Sequence, residues 1–565
     1  MSLIILVISS GALLLMGYIF YGRFLSKLLQ LNPDAKTPAV VQRDDVDYVP
    51  TNKFYLLGQH FSAIAAAGPI VGPILAGMWF GWVPTVIWII VGGIFIGGVH
   101  DLFTLVASIR HHGRSIAEVI KEYKSKKAFM IFLVFLWISI IYIITAFTDM
   151  TAGTFADPAR GAGVASSSMM YLLLALIMGI LIRLFKPPLA AVTLIFMPLV
   201  LVCIWLGPKF PLHMPLLFGL DLRTTWDILL LAYCFIAAVI PVWLLLQPRG
   251  YLGGFFLTLT AGASLLGIIV GHFTQKLVII YPAFVGWVNP GGLPLFPLLF
   301  TTVACGACSG FHALVSSGTT SKQVARETDA KAIGYGGMLL ESVVAITALG
   351  TLLLLTRTQA QGLGSPDQIY ANGIATFLNS LGIDREFALT FALLAFATFV
   401  YDTLDVATRL GRYIFQELTN IRGRVSLFVS AFATLLLPAF FVTSKMTDAQ
   451  GRIIPAWSLF WTVFGSSNQL LAAMVLLGLS VWLFRRRKNY AVTLMPAIFM
   501  TFVSLTSLAL VTKPWIAKHI ADKRFWPEPL VITCLILFVL SLLLIIEDIT
   551  IFSKGNKDEH EKTGS

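Results

Sequence analysis

The sequence predicts an all-α protein that crosses a membrane many times, and three observations carry this prediction. Of the 565 residues, 57% are hydrophobic and only 12% are charged, against about 25% charged residues in soluble proteins. The mean hydropathy is +0.84. Apolar stretches recur along the whole chain, each near the roughly 20 residues that span a bilayer core of about 30 Å. Together these observations exclude a soluble globular protein.

Fifteen apolar stretches are predicted to form transmembrane helices, divided at clusters of charged residues and of proline and glycine. Their approximate spans are 3–22, 58–80, 83–107, 128–149, 167–185, 189–207, 226–246, 254–273, 296–318, 332–356, 386–408, 425–443, 457–484, 490–512 and 527–547. We therefore expect one transmembrane domain over 1–553, with its core at about 58–484. The charged segment 554–565 is expected to be a disordered cytoplasmic tail.

The distribution of basic residues predicts the orientation. If the N-terminus lies outside, 28 of the 40 Lys and Arg residues fall on the cytoplasmic side, as the positive-inside rule requires. The C-terminus is then cytoplasmic. The net charge of +12 is explained by this bias, so the lipid bilayer is an expected partner and nucleic acid is not.

Two of the apolar stretches contain residues that break helices. In 58–80, Gly-Pro pairs begin at Gly68 and Gly72, and each proline removes a backbone donor and favours a bend. In 296–318, glycines such as Gly310 alternate with serine, histidine and cysteine. Freed backbone groups need partners inside a bilayer, so such breaks are expected where they line a cavity.

Each broken stretch is followed by a diglycine and then a carboxylate, in "GGVHD" ending at Asp101 and in "GGMLLE" ending at Glu341. In the predicted orientation the two broken stretches are antiparallel. Inverted repeats with a discontinuous helix in each half are typical of transporters, whose substrate binds where the breaks face each other. The predicted substrate-binding residues are His60, Ala65, Gly68, Pro69, Gly72, Ser309, Gly310, His312, Ser316 and Ser317.

The segment "CGACSGFH" admits other interpretations. Ser309 and His312 could form the nucleophile–base pair of an intramembrane protease, although a nucleophile elbow requires a strand-to-helix turn. Cys305 and Cys308 have the spacing of half a metal site, but the sequence offers no second pair of ligands, so no metal is expected. His312 as a buried core histidine with two satisfied nitrogens remains open.

Carboxylates inside apolar stretches are candidates for function, because a charge at mid-membrane costs about 2.5–3.5 kcal/mol. The four that stand out are Asp101, Glu341, Asp402 and Asp405. Asp405 could form a structural pair with Arg409, four residues further along the helix. Alternatively, Asp405 and nearby threonine hydroxyls face the first break and bind a coupling ion, H⁺ or Na⁺. The predicted ion-coupling residues are Asp405, Thr403, Thr408, Asp101 and Glu341.

Four blocks of the sequence resemble the signature blocks of the carbon starvation protein A (CstA) family. They are "GQHFSAIAAAGPIVGP", "VACGACSGFHALVSSGTTSKQVARETDAKAIGYGGMLLES", "TLDVATRLGR" and "FGSSNQLLAA". The resemblance implies an inner-membrane secondary transporter of the amino acid–polyamine–organocation superfamily. It also implies a LeuT-like core and uptake of peptides or pyruvate during carbon limitation.

The expected function is import of a small carboxylate-bearing nutrient by alternating access, coupled to H⁺, with Na⁺ coupling as the alternative. Exposed N–H groups and the positive dipole end of a broken half-helix can bind a carboxylate, and both peptides and pyruvate carry one. No enzyme activity and no cofactor are expected. The alternatives from other classes are an intramembrane protease and a nutrient-sensing membrane receptor.

Overall fold

The computed structural model describes residues 2–44, 48–65, 67–122, 125–217, 219–241, 243–421, 423–446, 452–521 and 529–563. This part of the chain is almost wholly helical and contains no β-strand. The prediction of an all-α protein is therefore confirmed.

Helices of the membrane domain are numbered here in chain order, with the pieces of each broken stretch counted separately. They are α1 Leu3–Leu29, α2 Lys53–Ile64, α3 Gly68–Phe80, α4 Trp82–Arg110, α5 Lys126–Phe155, α6 Gly161–Phe185, α7 Leu189–Leu206, α8 Leu222–Val239, α9 Leu246–Thr274, α10 Leu295–Thr302, α11 Ala304–Ala307, α12 Phe311–Gly318, α13 Glu327–Leu353, α14 Pro366–Asn379, α15 Arg385–Thr419, α16 Arg424–Thr443, α17 Ala456–Arg485, α18 Ala491–Ala521 and α19 Pro529–Thr563. Short helices in the connections are Pro38–Val41, Ile116–Lys121 and Arg357–Leu363.

Each of the fifteen predicted stretches falls mainly on helix. Among the described residues, twelve helices are long and apolar enough to cross a bilayer, or thirteen if the bent pair α2–α3 counts as one crossing. The other two stretches are the interrupted segment α10–α12 and the shorter apolar helix Val531–Glu547 within α19. Where the sequence predicts a disordered tail from residue 554, α19 continues to Thr563.

Burial separates the central helices from the peripheral ones. The apolar part of α17 is 94% buried inside the protein, that of α15 is 89% buried and that of α13 is 83% buried. In contrast, α1, α6 and α7 are each only 28% buried. Their exposed side chains are largely apolar, as a surface in contact with lipid requires.

Three helices contain a π-helical turn: Gly17–Tyr21 in α1, Gly93–Gly97 in α4 and Lys331–Tyr335 in α13. The Tyr335 hydroxyl donates to a carbonyl of each of the other two turns, at 3.4 and 3.1 Å. Single π-helical turns are rare in proteins, and those that occur often lie at functional sites. Here they fix α4 and α13 against each other beside the broken stretches.

Candidate functional site

The first break lies between α2 and α3, which are bent by 50° relative to each other. The Asn52 side chain caps α2 by accepting from the Phe54 amide at 3.0 Å. The helix ends at Ala65, whose backbone is no longer helical. Gly68 then begins α3, with Pro69 in the first turn, where a missing N–H leaves no helical bond unmade. The bend predicted from the Gly-Pro pair is therefore confirmed.

The second break lies between α11 and α12. Helix α11 ends at Ala307, and Cys308 is extended, with φ −166° and ψ 117°. Helical structure resumes at Phe311. The interruption predicted from the glycine-rich sequence is therefore confirmed, and it leaves residues 308–310 outside regular helix.

The two breaks are in direct contact. A Cβ atom at Gly68 would lie 2.3 Å from Sγ of Cys305, and one at Gly72 would lie 2.4 Å from the carbonyl oxygen of Thr302. Both distances are far shorter than van der Waals contact, so only glycine fits at these positions. Helix α3 therefore packs closely against α10 and α11, and the broken stretches meet.

We expect Gly72→Ala to destabilise the protein and Gly58→Ala to leave it intact or slightly more stable. The backbone oxygen that faces Gly72 cannot rotate away, and overpacking of this kind costs about 1–3 kcal/mol. A Cβ atom at Gly58, in α2, would meet no other group within 4 Å. Thermal unfolding of the purified proteins in detergent measures both effects. Equal stability of the two variants would contradict the close contact.

Asn468 of α17 supplies partners for the second break. Its side-chain oxygen accepts from the Phe311 amide at 3.0 Å, and its backbone carbonyl accepts from the Gly310 amide at 3.1 Å. Its side-chain nitrogen donates to the Ser309 hydroxyl at 3.0 Å. Asn468 thus forms the interhelical hydrogen bonds expected of a polar side chain inside a membrane.

His312 lies at the centre of a buried acid–base cluster. Its Nδ1 is 2.8 Å from Oδ2 of Asp101, and its Nε2 is 3.1 Å from Oε2 of Glu341. His100 Nδ1 lies 2.7 Å from the other oxygen of Asp101. The four side chains are at most 1% exposed. The structure therefore brings together three of the predicted site residues and adds His100.

Both ring nitrogens of His312 face carboxylates. A neutral imidazole offers only one N–H, so hydrogen bonds from both nitrogens would require a charged imidazolium or a protonated carboxyl group. The Glu341 contact is within ion-pair distance, but its geometry is not that of a hydrogen bond. The arrangement can hold a proton between buried groups and release it when they move apart.

The remaining predicted substrate-binding residues are also buried. His60 Nδ1 lies 2.9 Å from the hydroxyl oxygen of Thr320, while its Nε2 has no hydrogen-bond partner. The Ser317 hydroxyl bonds within α12 and accepts from the Ile116 amide at 2.9 Å. The Ser316 hydroxyl is buried without a partner. His60 and Ser316 therefore each have a buried polar atom without a hydrogen-bond partner, as do His312, Glu341 and Asp405 among the predicted site residues.

The alternative interpretations of the second break lack the required geometry. Ser309 bonds with Asn468, while both nitrogens of His312 face carboxylates, so no nucleophile–base pair forms. Cys305 and Cys308 are buried free thiols. Over the ranges that the structure describes, no group of three or more His, Cys, Asp or Glu side chains is arranged to hold a metal ion.

Asp405 forms a buried ion pair with Arg249 of α9. It also accepts a hydrogen bond of 2.9 Å from the Tyr233 hydroxyl. The interpretation that Arg409 is its partner is wrong, because the Arg409 guanidinium instead donates to the carbonyls of residues 237 and 240 at 2.6 and 2.8 Å. Arg249, from another helix, is therefore the partner of Asp405 in place of Arg409.

The predicted threonines beside Asp405 do not contact it. The hydroxyls of Thr403 and Thr408 donate to carbonyls of their own helix, at 3.2 and 2.8 Å. Sequence reasoning missed Arg249, because the sequence places it in a short basic connection between two apolar stretches. In the structure α9 already begins at Leu246, and Arg249 is 3% exposed.

A family model described as carbon starvation protein CstA matches residues 2–371 and 356–507. The chain belongs to the CstA family. The matched ranges include both broken stretches, the His312 cluster and the helix that carries Asp405.

Three curated relatives show the same membership. Two named peptide transporter CstA, from Campylobacter jejuni and Escherichia coli K12, are each 34% identical to this chain over 89% of its length, covering 79% and 80% of their own. The pyruvate/proton symporter BtsT of Escherichia coli K12 is 32% identical over 89% of this chain and 81% of its own length. All three are named as transporters, which confirms that this CstA-family chain is not an enzyme.

Among solved structures, MhsT in complex with L-phenylalanine superposes with a TM-score of 0.48 and 13% identity. The superposition covers 87% of this chain and 99% of that one.

Proposed function

We propose that this protein is a secondary active transporter that imports a small carboxylate-bearing nutrient by alternating access, driven by protons. The observation that carries the proposal is the direct contact of two broken helices beside a buried acid–base cluster. Broken helices are tolerated inside a bilayer where they form a binding site. Buried ionisable residues mark ion pathways and proton relays.

Reciprocal packing of α4 and α13 supports the proposal of two inverted repeats. A Cβ atom at Gly97 of α4 would lie 2.3 Å from the Ala307 carbonyl oxygen at the second break. A Cβ atom at Gly337 of α13 would lie 3.1 Å from His60, in the helix before the first break. Each helix that follows one break thus packs closely against the other broken stretch. This arrangement is expected of two repeats related by a pseudo-two-fold axis.

The substrate is proposed to bind where the breaks meet, among the predicted residues from His60 to Ser317. The positive dipole ends of α3 and α12 favour an anion at this position, because both helices begin at the breaks and direct their N-termini toward them. The names of the relatives include a peptide transporter and a pyruvate/proton symporter, and both substrates carry a carboxylate. We propose the same substrate class and proton coupling for this chain.

The proposed ion-coupling residues fall into two buried clusters. In one cluster Asp101 and Glu341 flank His312, and in the other Asp405 pairs with Arg249. A carboxylate in either place can bind a proton because the surroundings disfavour an uncompensated charge. Na⁺ is the alternative coupling ion, and uptake under a Na⁺ gradient distinguishes it from H⁺.

The proposed topology has fifteen crossings in the inner membrane, with the N-terminus outside and the C-terminus in the cytoplasm. The membrane domain is proposed to occupy residues 1–553. The bias of basic residues toward the cytoplasmic side supports this orientation.

Uptake by purified protein in proteoliposomes tests the proposal. We expect labelled pyruvate or a labelled di- or tripeptide to accumulate under an inward pH gradient and not under a Na⁺ gradient alone, because the buried carboxylates bind protons. Protein-free liposomes are the control. Accumulation under the Na⁺ gradient alone would assign Na⁺ coupling, and no accumulation of either substrate class would reject the proposal.

A further inference from the structure

Arg249 is enclosed by two carboxylates and two aromatic rings. Asp405 pairs with its Nη1, and Oδ1 of Asp402 lies 3.4 Å from its Nε. The guanidinium also lies over the Tyr401 ring, 4.7 Å from the ring centre, and beside the Tyr233 ring. The charged groups of this cluster are therefore one cation and two acids.

The two acids are held very differently. Asp405 receives hydrogen bonds from Arg249 and Tyr233 and is 1% exposed. Asp402 lies within ion-pair distance of Arg249 but not in hydrogen-bond geometry, and Nε of Arg249 has no hydrogen-bond partner. The Asp402 side chain is also 9% exposed. Asp402 is thus the loosely held acid, and it faces an unused donor.

The cluster adjoins the helix that leads into the first break. A Cβ atom at Gly253 would lie 2.1 Å from Oδ2 of Asp402 and 3.5 Å from the hydroxyl oxygen of Ser62. The Ser62 hydroxyl in turn donates to the Gly250 carbonyl at 3.2 Å. Ser62 lies three residues before Ala65, the first non-helical residue after α2. The first break therefore lies about one helical turn from Ser62, whose hydroxyl bonds to the residue next to Arg249.

We propose that Arg249 binds the substrate carboxylate and that Asp402 carries the transported proton. The substrate carboxylate replaces Asp402 beside the guanidinium when Asp402 is protonated. This inference rests on the proposed function and specifies its coupling step. Protonation of Asp402 removes its charge from Nε, and the substrate carboxylate then takes the vacated donor. Asp405 remains paired throughout and keeps the arginine in position.

The charge balance favours this exchange. Without substrate, Arg249, Asp402 and Asp405 together carry a net charge of minus one, and the nearby Arg409 adds a charge that the exchange does not change. With Asp402 protonated and a monocarboxylate bound, the net charge is the same. Because an extra charge buried in low dielectric costs several kcal/mol, an exchange at constant charge avoids that cost. Substrate without a proton would instead add a second negative charge.

The exchange also agrees with the groups that surround Asp402. The ionisable side chains around the Asp402–Arg249 pair are Asp405, Tyr401 and Arg409 from the same helix, with Arg409 beside Asp405, Tyr171 from α6, and Tyr233 and Cys234 from α8. From α2, the Ser62 hydroxyl lies beside the same Gly253 position as Oδ2 of Asp402. Arg249 is the cation within ion-pair distance of Asp402, so a protonated Asp402 leaves the guanidinium as the strongest partner for an entering carboxylate.

The variant Asp402→Asn tests the exchange in proteoliposomes with labelled pyruvate as the probe, or labelled dialanine if the wild type takes up only peptides. Asparagine imitates the protonated acid. We expect counterflow exchange to continue and to become independent of pH, while accumulation driven by a pH gradient is lost. Asp367→Asn, at a buried acid hydrogen-bonded to Thr154 rather than to an arginine, is the matched control and is expected to accumulate substrate. Arg249→Lys is expected to bind the probe at least about tenfold more weakly.

The outcomes separate this inference from the proposed function. Failure of the wild type to accumulate either probe rejects the proposed function. Accumulation by both the wild type and a folded Asp402→Asn variant rejects only the exchange. A second measurement needs no variant: with pyruvate, an imposed membrane potential should drive no accumulation, because one proton and one negative charge move together. With zwitterionic dialanine, the potential should drive accumulation. The reverse pattern would overturn the exchange.

Discussion

Replacing His312 by glutamine is expected to lower the free energy of unfolding by about 3–5 kcal/mol, since removing one partner of a buried charge cluster leaves the other uncompensated. The two carboxylates that face its ring nitrogens would then share a buried site without a cation between them. Like charges in such a site repel each other, and each loses its hydration. Denaturant unfolding of purified protein in detergent measures the effect.

A matched set of variants separates charge from general damage. His272→Gln, at a partly buried ring that lies 2.9 Å from the Ser2 hydroxyl oxygen, should cost no more than about 1.5 kcal/mol. The triple change His312→Gln, Asp101→Asn and Glu341→Gln should recover part of the stability, because it removes the unpaired charges. If the triple variant is no more stable than His312→Gln alone, the electrostatic explanation fails.

Asp405→Asn is expected to reduce folded yield and to cost about 3–5 kcal/mol, because Arg249 would lose the carboxylate that holds it. The identity of the partner can be tested directly. Adding Arg249→Gln, together with Asp402→Asn to remove the second acid beside it, should restore folded protein, since no charge of the cluster is then left without its partner. Adding Arg409→Gln should not, because that guanidinium bonds to backbone carbonyls. Size-exclusion profiles and unfolding curves of the three variants measure this difference.

The opposite result would be equally informative. Rescue by Arg409→Gln and not by Arg249→Gln would contradict the ion pair seen in the structure. It would restore the pairing of two residues one helical turn apart that the sequence alone suggests.

The positions of the breaks could be predicted from the sequence because they are local. Gly-Pro pairs bend a helix wherever it runs, and the bend between α2 and α3 lies where such a pair predicts it. Serine and glycine clusters likewise indicated the interruption near Gly310. The same local signals also identified Asp101 and Glu341 as buried carboxylates, because few charges occur in apolar stretches.

The partner of Asp405 could not be predicted in this way, because it depends on packing between distant helices. Arg249 lies 156 residues away in the chain. Helical spacing shows which residues share a face, but it does not show which helix packs against that face. A basic residue beside proline and glycine is usually part of a connection, so no local signal placed Arg249 inside the protein.

The contact of Asn468 with the second break also constrains the order in which the protein is made. Asn468 follows Phe311 by 157 residues, so the ribosome delivers α10–α12 to the membrane well before α17 exists. Until α17 arrives, the amides of Gly310 and Phe311 lack their native partners in a medium that provides no water. The second break can therefore reach its final form only late in biogenesis, after α17 has been inserted.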